Sequence, residues 1–131
     1  MIKIFNLLLI CIAISRQCIA VESAGSNVPF KDGAALEQSI ALFNKMLANQ
    51  PNSPLEASKA VYLYGYLSAL IDANVADKEL KYPLKYSLPE DTSPVQLSKV
   101  IDKFLHDNSD KLEHDASYLI ILALHNAYPV K

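Results

Sequence analysis

Residues 53–75 read SPLEASKAVYLYGYLSALIDANV, and the first four of them mark where a helix begins. Ser53 is a cap whose hydroxyl can accept a backbone N–H, Pro54 suits the first turn, and Glu56 is placed to bond back to the cap. From there to about Val75 the residues Ala57, Ala60, Val61, Leu63, Tyr64, Leu67, Ala69, Leu70 and Ile71 cover most of the helix circumference. A helix apolar all round is a central one. Gly65, followed by Tyr66, interrupts the pattern, and a mid-helix glycine costs about 1 kcal/mol relative to alanine. Close approach of a neighbouring helix over Gly65 is the expected compensation. Asp72, on the same helix, is expected to accept a hydrogen bond from a tyrosine or a backbone N–H.

Working outward, Leu36, Ile40, Phe43 and Leu47 step by four, three and four between Ala34 and Asn49, one face of an earlier helix with Asp32 as its N-cap. Gln50-Pro51-Asn52 ends it, because proline disfavours helical geometry in the residue before it. Ser93-Pro94-Val95-Gln96 repeats the capping signature, and Leu97, Val100, Ile101, Phe104 and Leu105 give the stripe of a third helix. A polar stretch from His106 to Lys111 follows. The last helix, about Glu113 to Ala127, places Ala116, Leu119, Ile120, Ala123, Leu124 and Ala127 on one side, and Pro129 closes the regular structure. Residues 76–92, with Pro83 and Pro89, form a long connection. Four helices with no convincing alternating strand make an all-α fold, a single small bundle over residues 34–131.

The N-terminus reads differently. Leu7 to Ile14 is an unbroken apolar run after Lys3, Ser15-Arg16-Gln17 ends it, and Cys18-Ile19-Ala20 sets small residues before a cut, so residues 1–20 are expected to be a cleavable signal peptide. The run is too short to cross a bilayer, which needs about 20 apolar residues. Arg16 and Gln17 before Cys18 speak against lipidation. Residues 21–33, with Gly25, Pro29 and Gly33 and no periodicity, read as a flexible leader. Export would remove both cysteines, Cys11 and Cys18, so the remaining domain could form no disulfide and offer no thiolate.

The 131 residues carry 12 Lys plus Arg against 14 Asp plus Glu, and loss of Lys3 and Arg16 leaves ten cations against fourteen acids, a net charge of −4. That field cannot hold a phosphate backbone, so nucleic-acid binding is not expected. With 51% apolar and 20% charged residues, the chain is too hydrophobic to be disordered. His106, His114 and His125 are spaced eight and eleven apart, unlike a one-turn metal pair, and read as solvated residues at helix ends. The acids Asp107, Asp110, Glu113 and Asp115, and the pair Glu90-Asp91, fall in surface links and form a negative rim. No Gly-x-Ser-x-Gly is present. No catalytic residue, metal ligand or cofactor is assigned.

Several stretches together have the character of a known family: Gly65-Tyr66-Leu67-Ser68-Ala69-Leu70-Ile71-Asp72, Leu88-Pro89, Ser93-Pro94-Val95-Gln96-Leu97, Val100 to Leu105, Ala116 to Ile120, Ala123-Leu124, and Ala127-Tyr128-Pro129. In order and spacing they resemble the Rap/Tai class of type VI secretion amidase immunity proteins, over about half of the exported chain. The resemblance implies a small all-helical periplasmic protein, often a homodimer, that binds a peptidoglycan amidase toxin and blocks its active site. Members commonly carry a cysteine just before the Leu-Pro and another just after the final Pro. Ser87 and Val130 stand there in this chain, which implies loss of a disulfide rather than loss of the fold.

An inhibitor needs only a complementary surface, and two loops qualify. Asp107, Asn108, Ser109, Asp110 and Lys111, following His106, form a compact hydrophilic segment suited to plug a cleft, while Tyr82, Tyr86, Glu90 and Asp91 offer aromatic and acidic contacts on its flank. The alternative is a generic periplasmic helical binding protein of the same fold with no toxin partner. An envelope enzyme has only the histidines and acids to rest on.

Overall fold

Capping chemistry sets three of the four helix starts in the computed structural model, which describes residues 30–131. The expected signal peptide and most of the expected leader lie outside the described residues. Helix α1 runs Gly33–Leu47, α2 Pro54–Glu79, α3 Pro94–Asp107 and α4 Ala116–Ala127, with a 3₁₀ turn at Ser109–Lys111. The Ala35 N–H donates to Asp32 Oδ1 at 2.9 Å at the head of α1. Both capping boxes are closed: Ser53 N–H donates to Glu56 Oε2 and Ser93 N–H to Gln96 Oε1, each at 2.7 Å. The Ser53 backbone holds the Glu56 carboxyl below its usual pKa, helped by the Ser53 hydroxyl and Lys45.

Helix α4 starts three residues later than its periodicity predicts, because the chain before it does something else. Asp115 is extended and pairs with Asp32 in an isolated antiparallel bridge. There the Gly33 N–H donates to His114 O and the Ala116 N–H to Lys31 O, both at 3.1 Å. The bridge draws the end of the expected leader into the body. Phe30 is buried and meets Tyr62 and Tyr66 edge-on at 5.5 and 5.3 Å, so packing begins four residues before Ala34. Among the described residues there is no strand, and the fold is the expected all-α bundle.

The core joins one stripe from each helix: Leu36, Ile40 and Phe43 of α1, Ala60, Leu63 and Leu67 of α2, Leu97, Ile101 and Leu105 of α3, and Leu119, Ile120, Ala123 and Leu124 of α4. Helix α1 packs chiefly on α2, and α3 chiefly on α4. Helix α2 is not encircled as its composition suggests. Val61, Tyr64 and Val75 are 58%, 48% and 52% exposed, because α1, α3 and the following link cover only one side of it. The close approach expected over Gly65 is also absent: a Cβ built there meets nothing within 4 Å. The close approach lies at Gly33 instead, where a Cβ would stand 2.6 Å from Leu119 Cδ1 and 2.8 Å from Leu112 Cα.

Helices α1 and α2 end alike. The Gln50 N–H reaches Lys45 O at 3.1 Å and the Tyr82 N–H reaches Asp77 O at 2.9 Å, the long-range bonds of two Schellman motifs. The left-handed residue is Asn49 in one (φ 53°) and Lys81 in the other (φ 57°). No glycine announces the second stop, and α2 runs four residues past Val75.

At 26 residues, α2 is far longer than the 15-residue α1, so its C-terminal turns need another cover. Residues 85–88 supply it as a strap whose backbone is tied at each residue. Asn74, only 4% exposed, donates from Nδ2 to Tyr86 O at 2.9 Å and accepts the Leu88 N–H on Oδ1 at 3.0 Å. Lys78 Nζ donates to Leu88 O. From the other side, the Ser87 N–H donates to Tyr128 O at 2.9 Å, and His125 Nδ1 donates to Lys85 O at 2.7 Å. Tyr86 and Leu88 thereby enter the core.

Three substitutions probe this packing. Gly65→Ala should raise stability by about 1 kcal/mol, and Gly33→Ala should lower it by about 1–3 kcal/mol, both read as shifts in the urea unfolding midpoint. Asn74→Ala leaves Tyr86 O and the Leu88 N–H without their partner and should cost on the order of 2–3 kcal/mol, with amide exchange speeding up first at Ser87 and Leu88.

Candidate functional site

The turn after α3 is braced from within. Asp107 is ion-paired with Lys103 at 2.5 Å, one helical turn back, and that hydrogen bond holds its carboxyl below the usual pKa. Asn108 donates from Nδ2 to Phe104 O at 2.9 Å while its Oδ1 accepts from Lys111 Nζ at 2.5 Å. The Lys111 N–H returns to Asn108 O at 2.9 Å, closing the 3₁₀ turn. Three of the five residues are therefore committed to holding the loop's shape, and Ser109 and Asp110 are left exposed at its tip. A loop that keeps one conformation before binding loses less entropy on binding. Asp107 and Asn108 also border a groove of about 370 Å³ between α3 and α4, floored by Val100, Phe104, Ala123 and Ala127.

The second set is divided. Tyr82 is 59% exposed directly after the Schellman turn, and Glu90 and Asp91 are exposed. The Thr92 N–H and hydroxyl both donate to Pro89 O, at 3.2 and 2.8 Å, which fixes the turn that presents those two acids. Tyr86 is only 7% exposed, and burial raises its phenol pKa. It is a core residue and cannot serve as the aromatic anchor expected of it, because Asn74 draws its backbone onto α2.

The two sets do not flank one another. Residues 107–111 and the Glu90-Asp91 pair adjoin opposite ends of α3, whose 14 residues separate them by roughly 20 Å, while Tyr82 follows the end of α2. Of the residues in the Gly-Tyr motif, Gly65 faces open space, Tyr66 is half-buried against Phe30, and Asp72 is exposed. The buried polar role expected of Asp72 belongs to Asn74, two residues on. An amide flanked by Ala73 and Val75 in an otherwise apolar run was the available signal for it.

The histidines are dispersed. His106 is exposed near the end of α3, His114 stacks edge-on with Tyr118 at 5.6 Å, and His125 holds the strap. Among the described residues, no three His, Cys, Asp or Glu side chains converge on a point that could hold a metal ion. None of the described helices is long and apolar enough to cross a membrane. What the geometry offers is two internally bonded turns, at 108–111 and 89–92, on a surface that also exposes Val61, Tyr64 and Val75 of α2.

No curated protein and no solved structure matches the chain. The family model described as Rap1a immunity proteins matches residues 32–130. That span takes in all four helices, the strap and both acidic turns, and the chain belongs to the Rap1a immunity protein family.

Proposed function

We propose that this chain is a periplasmic immunity protein that binds a type VI secreted peptidoglycan amidase toxin and occludes its active site. Membership of the immunity family carries the reading, and the braced turn at 108–111 supports its mechanism. The tip residues Ser109 and Asp110 enter the toxin's cleft, with the turn held by Asn108 and Lys111 behind them. Asp110 faces cationic or hydrogen-bonding groups there, and the α3–α4 groove receives an apolar contact beside it. Blocking a nucleophile requires surface complementarity and no bond-making, so the protein acts as an inhibitor without catalysis. Export by the N-terminal signal peptide places it where such a toxin cleaves the cell wall. Pairing of two copies belongs to the same proposal, and sedimentation equilibrium of the exported chain should show a dimer.

The test is stoichiometric inhibition of a peptidoglycan amidase, sought as the product of a gene adjoining this one and followed as release of peptide stems from purified peptidoglycan. Asp110→Lys should weaken inhibition by about tenfold or more, whereas the same reversal at the exposed Glu37 on α1 should change it less than twofold. Absence of any complex with the toxin would leave a generic binding protein. Equal losses at Asp110 and Glu37 would move the contact away from the turn.

A further inference from the structure

A cavity of about 290 Å³ lies between the last turns of α2 and the end of the strap, lined by Ile71, Asn74, Val75, Lys78, Glu79, Leu88, Pro89 and Glu90. Its walls are apolar where Ile71, Val75, Leu88 and Pro89 meet. Its interior polar groups are already engaged: both side-chain atoms of Asn74 bond the strap, and Lys78 Nζ donates to Leu88 O. Glu79 and Glu90 are the two exposed polar side chains that border it. Neither has an ion-pair partner among the described residues, where the salt bridges are Lys45–Glu56 and Lys103–Asp107.

We propose that this cavity is a socket for a lysine or arginine side chain of a partner protein. A long cationic side chain is apolar along its stem and charged at its end, which matches a cavity lined by apolar side chains and bordered by two carboxylates. The site borders the C-terminal turns of α2, whose last carbonyls are already bonded within the Schellman turn, so its attraction for a cation comes from the two carboxylates. Lys78 offsets part of that charge, but its ammonium is held at Leu88 O and the lining residues still sum to one negative charge. The strap makes the socket permanent: Asn74 holds Leu88 in place, so no loop must be ordered when the side chain enters. Glu90 lies on the turn fixed by Thr92, so its position is also set in advance. The inference rests on reading the chain as a protein-binding immunity protein. It adds a second contact at the opposite end of α3 from Asp110.

The probe is Nα-acetyl-lysine methylamide, titrated into the ¹⁵N-labelled exported chain by NMR, with Nα-acetyl-norleucine methylamide as the isostere lacking the ammonium. The lysine compound should shift the amides of Ile71, Asn74, Val75, Leu88 and Glu90, and the norleucine compound should bind at least about fivefold more weakly. Glu79→Gln with Glu90→Gln, both at exposed positions, should leave the amide spectrum otherwise unchanged and bring lysine affinity down to that of norleucine, a loss on the order of fivefold to tenfold. Norleucine binding as tightly as lysine would overturn the proposal. So would shifts scattered over the surface, or lysine affinity unaffected by the double variant. Because no toxin enters this experiment, failure here leaves inhibition of the amidase to be judged on its own measurement.

Discussion

A buried amide anchors to α2 the strap through which the chain enters the second half of this molecule. Asn74 lies on the inner face of α2, beyond the reach of α1, and its two side-chain atoms satisfy a carbonyl and an N–H of the strap at once. An extended segment has no intrasegment ladder for its backbone groups, so it can be buried only where something else pairs them. Asn74, Lys78, His125 and the Tyr128 carbonyl do this at successive residues. Tyr86 and Leu88 can then enter the core, and the turn carrying Glu90 and Asp91 acquires a fixed position.

The same bonds bear on the disulfide that the family resemblance implies was lost. Ser87 and Val130 stand where a cysteine pair is common, and here the Ser87 N–H is bonded to Tyr128 O. The strap and the C-terminal segment are therefore joined without a covalent link. His125 bonds the neighbouring Lys85 carbonyl, so two hydrogen bonds share the task. This histidine is structural: the Lys85 carbonyl can only accept, so Nδ1 donates the bond that joins them.

The packing also leaves two exposed turns with fixed shapes. The 108–111 turn and the 89–92 turn are each closed by their own side chains and backbone. They sit at the two ends of α3, so a partner touching both must span a distance of about 20 Å. Standard protein interfaces are wide enough for that.

Local chemistry was legible in the chain because it depends on residues three or four positions apart. Ser53 with Glu56, Ser93 with Gln96, and Asp32 before Ala35 gave three helix starts, and apolar spacing gave the face that each helix buries. The all-α class, the helix count and the family resemblance follow from those near-neighbour patterns. The end of α2 was not legible, since Lys81 takes the left-handed position usually given to glycine. Nor was the start of α4, which waits on a bridge to Asp32, more than eighty positions earlier in the chain. Gly33 and Gly65 look alike in a sequence, and only the neighbour that approaches one and not the other separates them. Tyr86 and Asp72 exchanged their expected surroundings for the same reason. Which side of an apolar helix is covered, and which tyrosine in a link is drawn inward, depends on contacts between residues far apart in the chain, and those exist only once the tertiary structure has formed.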